Sequence, residues 1–211
     1  MYFIGNRICN MGKTEDNKKK KYESLLNTAL ELFTAKGINN TSISDIVDHA
    51  GVAKGTFYLY FKDKYDIRSK LIMHRSSRLF IDAHKALSQT DITDFSEKLI
   101  FIVDHILDEL NENRGLLTLL YKDLSWAVLK KNMTIRHFDD DVNFYEDVYQ
   151  KMILDSGIEF KDPEIMMAMI FELVGSSGYS SIIYGEPVPL EALKPHLADA
   201  IRAIIKLHLP A

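Results

Sequence analysis

The residues in this chain best equipped for chemistry crowd between Thr41 and Lys64. Their chemistry is donation rather than turnover. Lys54, Thr56, Tyr58, Tyr60 and Lys64 offer ammonium and hydroxyl protons to an acceptor-rich partner, and Gly55 leaves little bulk between them. The spacings that turnover needs are missing elsewhere. There is no phosphate-cradling glycine loop and no nucleophile elbow, and the seven histidines lack the His-Glu-x-x-His arrangement. Asp139 to Asp141 would suit a metal, but three acids near a helix start are more simply complements of the helix dipole. The single cysteine, Cys9, excludes an internal disulfide and a multi-Cys zinc site. The chain therefore reads as a binding protein, not an enzyme, with no cofactor and no metal.

Short elements must position those donors. Ser42 and Asp45 have the spacing of a capping box, which opens a helix whose inner face is Ile43, Ile46, Val47 and Ala50. Gly51 permits the positive φ of a tight turn, and a second brief helix runs from about Ala53 to Tyr60. Val52 and Phe57 anchor that helix inward and Phe61 anchors the chain just beyond it. Lys54, Gly55, Thr56, Tyr58 and Tyr60 are then left to point outward. Two short helices around such a turn make a helix-turn-helix, the unit that lays its second helix in the DNA major groove. Tyr58 and Tyr60 also suit core packing, but not both, because neighbours two apart on a helix point in different directions.

The rest of the chain repeats the helical period without strand-like alternation. A first helix is predicted from about Glu15 to Lys36, with Leu25, Leu26, Ala29, Leu32 and Phe33 buried and Gly37 as its stop. Asp63 and Asp66 cap a longer helix carrying Ile67, Leu71, Ile72 and Leu79. Asp94 and Glu97 open one with Leu99, Ile102, Val103, Ile106 and Leu110 on a single face. Leu116 to Val128 and Ile135 to Asp155 mark two more, the second ending at Gly157. Asp162 then caps a helix with Pro163 at its first position, running to about Tyr184. A last helix displays Leu193, Leu197, Ile201, Ile204 and Ile205. The expectation is an all-α protein of nine helices.

Composition bounds the function. The 211 residues are 46% hydrophobic and 27% charged, the balance of an ordinary globular chain. The longest purely apolar run, Ile165 to Phe171, falls short of the ~20 residues of a membrane span. Residues 1–11 lack a secretion signal's apolar stretch, so a cytoplasmic protein without a membrane partner is expected. Residues 1–70 hold 12 Lys+Arg against 8 Asp+Glu, and residues 71–211 hold 14 against 22, so +4 and −8 make up the net −4. A basic start on an acidic remainder points to a polyanion partner for the first part alone. An architectural DNA-binder would be basic throughout, whereas the pI is about 6.0. Lys18 to Lys21 read either as a solvated tail or as an accessory contact to a DNA backbone.

The segment Ile46, Ala50-Gly51-Val52, Lys54-Gly55-Thr56-Phe57-Tyr58, Tyr60-Phe61 and Lys64 closely resembles the signature of the TetR family of bacterial transcriptional regulators. The likeness covers roughly 50 residues, and beyond residue 75 it is one of length and helix count. It implies a flexible tail over 1–13, a helix-turn-helix DNA-binding domain over 14–75, and a helical ligand-binding and dimerisation domain over 76–211. By resemblance Ala53, Lys54, Gly55, Tyr58, Leu59 and Tyr60 face the major groove, while Thr41, Ser42, Thr56, Tyr58 and Lys64 hold phosphates. Lys64, in the first turn of its helix, would oppose the helix dipole unless a phosphate sat there. The family pattern further implies a homodimer through the last two helices, with Gly175, Ser176, Ser177 and Gly178 suiting a close crossing or a kink. It implies a palindromic operator in double-stranded DNA, and a repressor released by a small-molecule inducer. An activator or co-repressed regulator of the same fold is the alternative; a helical small-molecule carrier or enzyme is a more distant one.

Candidates for the ligand pocket are Phe101, His105, Tyr121, Trp126, Tyr145, Tyr149, Met166, Met169 and Glu172, though aromatic and Met residues at helical spacing equally suit plain core. Glu172 aligns with Ser176 and Ser180. Buried, it favours a cationic or hydrogen-bond-donating ligand; exposed, that row is the helix's wet face.

Overall fold

Two short sequence rules, helical periodicity and glycine stops, account for most of the architecture. A computed structural model of the chain describes residues 5–121, 126 and 148–210, with side chains from Asp16 onward. Among the described residues there are nine helices and no strand: α1 (Gly5–Lys36), α2 (Ile43–Ala50), α3 (Lys54–Tyr60), α4 (Lys64–Leu87), α5 (Phe95–Glu112), α6 (Arg114–Tyr121), α7 (Gln150–Ser156), α8 (Pro163–Tyr184) and α9 (Leu190–Leu207). Gly37, Gly51, Gly157 and Gly185 each take positive φ where a helix ends. The predicted helices over 116–128 and 135–155 fall partly outside the described residues.

Two expectations need correction. The first helix begins at Gly5 and not near Glu15, so it takes in most of the expected tail. Nothing in 5–14 forbids this: there is no proline, and extending a formed helix is far easier than starting one. Lys18 to Lys21 consequently lie well inside α1 and are not a tail. Asp162 does not cap α8 with its side chain. It sits at φ 46°, left-handed, while Pro163 takes the first helical position as predicted. By length and composition α8 alone among the described helices is apolar enough to cross a membrane, a test that the core helix of a globular protein also meets, and no purely apolar run in it is long enough. Its glycines, serines and tyrosines oppose hydropathy only weakly.

The chain divides into two compact units, Met1–Ile72 and Met73–Ala211, with the division falling inside α4. The first unit is built on Leu25, Leu26, Ala29, Ile46, Phe57, Ile67 and Leu71, all fully buried. The second packs α5 against α6, α7, α8 and α9. Its core joins Ala83, Leu99, Ile102, Val148, Met166, Ile170 and Ile201. Arg202 ties α9 to α5 through both carboxylate oxygens of Glu97, at 2.9 and 3.2 Å, and Lys194 does the same through Asp108.

Within that unit α8 approaches α5 closely at one point. A Cβ added at Gly178 would stand 2.6 Å from Leu107 Cδ2, whereas at Gly175 it would meet no heavy atom within 4 Å. Gly178 thus serves a crossing inside the chain. Replacing Gly178 by Ala should push Leu107 off its rotamer and destabilise the protein by about 1–3 kcal/mol. Urea denaturation checks this, and a midpoint equal to that of the parent protein would show the crossing to be looser than described.

Candidate functional site

The first site lies on α2 and α3, and its geometry starts from local rules. Ser42 Oγ accepts the Asp45 N–H at 3.0 Å while the Ser42 N–H donates to Asp45 Oδ2 at 2.9 Å, which completes the capping box. Gly51, at φ 65°, closes α2, and the Val52 N–H returns to the Val47 carbonyl at 3.0 Å. Ser24 Oγ on α1 donates to the Ala50 carbonyl at 3.4 Å, so the turn is held from behind as well.

Aromatic burial then sets the rotation of α3. Phe57 is fully buried and Phe61 nearly so, with ring centroids 5.4 Å apart, and Tyr22 of α1 stacks on Phe61 at 5.3 Å. Val52 is half-buried. With these inside, Ala53, Lys54 and Gly55 are exposed, Tyr58 is 53% exposed and Leu59 80%. Tyr58 and Leu59 together leave apolar surface on this face. Gly55 adds to this, since a Cβ there would meet nothing within 4 Å. Packing inside the chain therefore does not require glycine at a position where it costs about 1 kcal/mol of helix propensity.

Three expected contact residues sit differently from the expectation. Tyr60 is half-buried on α1, its ring edge-on to Tyr22 at 5.8 Å and its hydroxyl donating to the Lys18 carbonyl at 3.2 Å. Thr41 is 1% exposed, and its hydroxyl donates to the Gly37 carbonyl at 2.8 Å, completing the end of α1 rather than facing solvent. Lys64 is not an unpaired cation. Its Nζ points at the carbonyls of Ile38, Asn39 and Thr41, at 3.0, 3.4 and 3.3 Å, where partial negative charge at the α1–α2 corner collects. Thr56 is half-buried and Ser42 is exposed.

A residue that the sequence reading passed over completes the arrangement. Lys70, one turn after Asp66, donates to the Tyr60 carbonyl at 2.7 Å and to Asp66 Oδ2 at 3.2 Å, with Nζ 5.2 Å from the Phe61 ring centroid. Two lysines of α4 therefore hold the two ends of the helix-turn-helix. The Asp66-to-Lys70 spacing was a visible signal for the ion pair, but not for the carbonyl of Tyr60.

The second site is a cavity of about 490 Å³ inside the Met73–Ala211 unit, within the size range of small-molecule sites. Its walls come from α4, α5, α6 and α8. Of the nine predicted pocket residues, Tyr121 and Glu172 line it. Ile102, Ile106 and Leu110, read from sequence only as a core face, border this space instead of filling it. Tyr179, also on the wall, was not singled out, although it follows Glu172 at helical spacing. Glu172 is exposed, and its Oε1 accepts the Trp126 N–H at 2.9 Å. Tyr121 stacks on Tyr179 with centroids 3.7 Å apart, and a hydrogen bond with Tyr184 holds the Tyr179 phenol above its ordinary pKa, hence neutral.

The other predicted pocket residues lie elsewhere. Trp126 and Tyr149 border a separate, open cleft; the Tyr149 ring is buried and its hydroxyl donates to the Pro163 carbonyl at 2.8 Å. Met166 is fully buried core and Met169 is 44% exposed. Phe101 packs at the core's edge and stacks on His105 at 6.2 Å, one turn on. These are the plain outcomes of helical periodicity, which cannot tell a filled interior from a hollow one. Tyr145 lies outside the described residues.

Residues 25–71 match the family model described as bacterial regulatory proteins, tetR family. The Transposon Tn10 TetC protein of Escherichia coli is 28% identical over 164 residues, covering 76% of this chain and 80% of that protein. The uncharacterized HTH-type transcriptional regulator YdgC of Bacillus subtilis is 30% identical over 131 residues, covering 55% of this chain and 67% of the relative. Other curated relatives are matched over only 27% to 53% of their own length. In fold, the chain is similar to the transcriptional regulator FadR from Bacillus subtilis, solved in complex with stearoyl-CoA: the TM-score is 0.60 at 19% identity, covering 85% of this chain and 97% of that one.

Two expectations follow from the geometry. Lys36, 2.8 Å from Asp45 Oδ2, and then the Ser42 N–H hold the Asp45 carboxyl at about 2, below its ordinary 3.8. A depressed folded-state pKa stabilises above the unfolded value, so that contribution should be complete above about pH 4 and lost as pH falls toward 2. Thermal melts across this range should show a steeper acid loss for the parent protein than for Asp45→Asn, and parallel curves would contradict the assignment. Replacing Lys64 or Lys70 by Met should lower the urea midpoint by about 1–3 kcal/mol of stability, because each removes charge-assisted hydrogen bonds to backbone carbonyls. A Lys64→Met protein of parental stability but weakened DNA binding would mean that the ammonium serves a phosphate and not the corner.

Proposed function

The chain belongs to the TetR family of bacterial regulatory proteins and is a DNA-binding transcriptional regulator, and from that premise we propose that it is a homodimeric repressor released from a palindromic operator by a small molecule. The observation that carries the DNA reading is the outward face of α3. Lys54, Gly55, Tyr58 and Leu59 are all exposed there, and the glycine answers no need inside the chain. Such a face suits close approach to a groove floor: Lys54 reaches a guanine edge, and the apolar bulk of Leu59 meets thymine methyls. Ser42, Thr56 and Tyr58 would hold phosphates around it, with Lys64 acting on the backbone corner beside Ser42. Because so few side chains reach bases, two copies are needed for specificity.

Dimerisation through α8 and α9 is supported by the surface that α8 leaves open. It is apolar over most of its length, with Ile165, Met169 and Tyr184 exposed, and only about 33% of its most apolar stretch is buried within the chain. A helix of that kind needs cover, and a second copy supplies it by two-fold symmetry. For release, α4 is the natural coupling element, since it carries Lys64 and Lys70 in its first turns and lines the cavity with Ser76, Leu79 and Phe80 in later ones. A ligand that fits the cavity better in one position of α4 would shift the population away from the DNA-competent state. That FadR of Bacillus subtilis holds an acyl-CoA supports a hydrophobic body for the ligand of the similarly folded chain here.

Selection of bound duplexes from a random pool at physiological salt tests this directly. The expected product is an inverted repeat with half-sites about 34–36 Å apart, bound by a species that sediments as a dimer. Lys54→Ala should relax preference at one base pair per half-site, at about 1–3 kcal/mol. Enrichment of no sequence by folded, dimeric protein would overturn the proposal.

A further inference from the structure

The cavity's wall is apolar over most of its extent and changes character along α8. Glu172, Ser176 and Tyr179 follow one another there, and Tyr121 of α6 stacks against Tyr179. Among the described lining residues Glu172 is the one charged group; the remaining polar members, Ser76, Tyr121, Ser176 and Tyr179, are neutral hydroxyls. The Glu172 carboxylate does not swing freely, because its Oε1 is held by the Trp126 N–H at 2.9 Å.

A fixed carboxylate beside an apolar space selects by sign of charge. An anionic head would meet a like charge with no described cation on the wall to offset it, whereas a cation gains a partner at the exposed Glu172 while its apolar body enters the cavity. Two further features act in the same direction. The tyrosine pair presents π faces, which attract cations. Residues 71–211 carry a net −8, which raises the concentration of cations near the unit.

We propose that the ligand is a lipophilic cation: an amine or ammonium head placed at Glu172 and the Tyr121–Tyr179 pair, and an apolar body among Ile102, Ile106, Leu107 and Ile170. This rests on the reading of the cavity as the ligand site and assigns the chemical class that the site accepts.

Three probes with one tail and three heads separate the possibilities: decylammonium, decanol and decanoate, each displacing the neutral fluorophore N-phenyl-1-naphthylamine from the full-length protein. The expected order is decylammonium tightest and decanoate weakest, with decylammonium binding weakened by added salt. Glu172→Gln keeps an oxygen able to accept the Trp126 N–H while removing the charge. It should weaken decylammonium about three- to tenfold, reduce the salt effect, and leave decanol and the fluorophore unchanged. Equal affinities for all three heads, or a Glu172→Gln protein that binds decylammonium as the parent does, would overturn the charge assignment while leaving the cavity as a ligand site. Failure of the fluorophore itself to bind would instead remove the cavity reading on which the proposal rests.

Discussion

Phe57 and Phe61 lie one helical turn apart and are both buried, Phe61 stacked on Tyr22 of α1, and this single constraint decides where every other side chain of α3 points. Full burial of a phenylalanine is worth roughly 1.5–3 kcal/mol, more than any alternative rotation of so short a helix would recover. Once the two rings are inside, Tyr58 and Leu59 have no choice but solvent, and Tyr60 falls on the flank where α1 can accept its hydroxyl. An isolated seven-residue helix would not persist in water. The outward face of α3 thus exists because the aromatic core behind it is packed, not because its own residues favour helix.

Cation-to-carbonyl contacts reinforce that arrangement from α4. Lys64 holds the corner before α2, and Lys70 holds the carbonyl of Tyr60 at the end of α3, with the Phe61 ring beneath it. Both put positive charge where backbone carbonyls gather, the favourable end of a helix dipole. The basic character of the first 70 residues therefore has two uses: some of its lysines face outward, as Lys54 does, while others are consumed in holding the helices that present it.

The larger unit is organised by an opposite condition, the incomplete filling of its interior. Gly178 lets α8 close on α5 at Leu107, and beyond that crossing the apolar faces of α4, α5, α6 and α8 diverge around a cavity. Native cores are close-packed, so a cavity of about 490 Å³ lined mainly by apolar residues departs from ordinary core packing. Glu172 sits on its wall and not in its depth, which avoids the desolvation of a buried carboxylate.

Much of this was legible in the residues. Glycine stops, the Ser42–Asp45 box and the Asp63 and Asp94 caps follow from interactions between residues fewer than five apart, where chain connectivity already brings the partners together, and the inward faces of α2 and α5 and the turn at Gly51 were legible from periodicity and residue type. The overall charge division is likewise a property of sequence alone. What only the tertiary structure decided involves partners far apart in the chain. Examples are Lys64 on carbonyls more than twenty residues away, Tyr60 on Lys18, Glu172 on Trp126, and Gly178 against Leu107. Periodicity states that Ile102 and Ile106 face inward, but whether they meet another side chain or an empty space depends on the distance between helices. That distance is set by packing of the whole unit and is encoded in no local pattern.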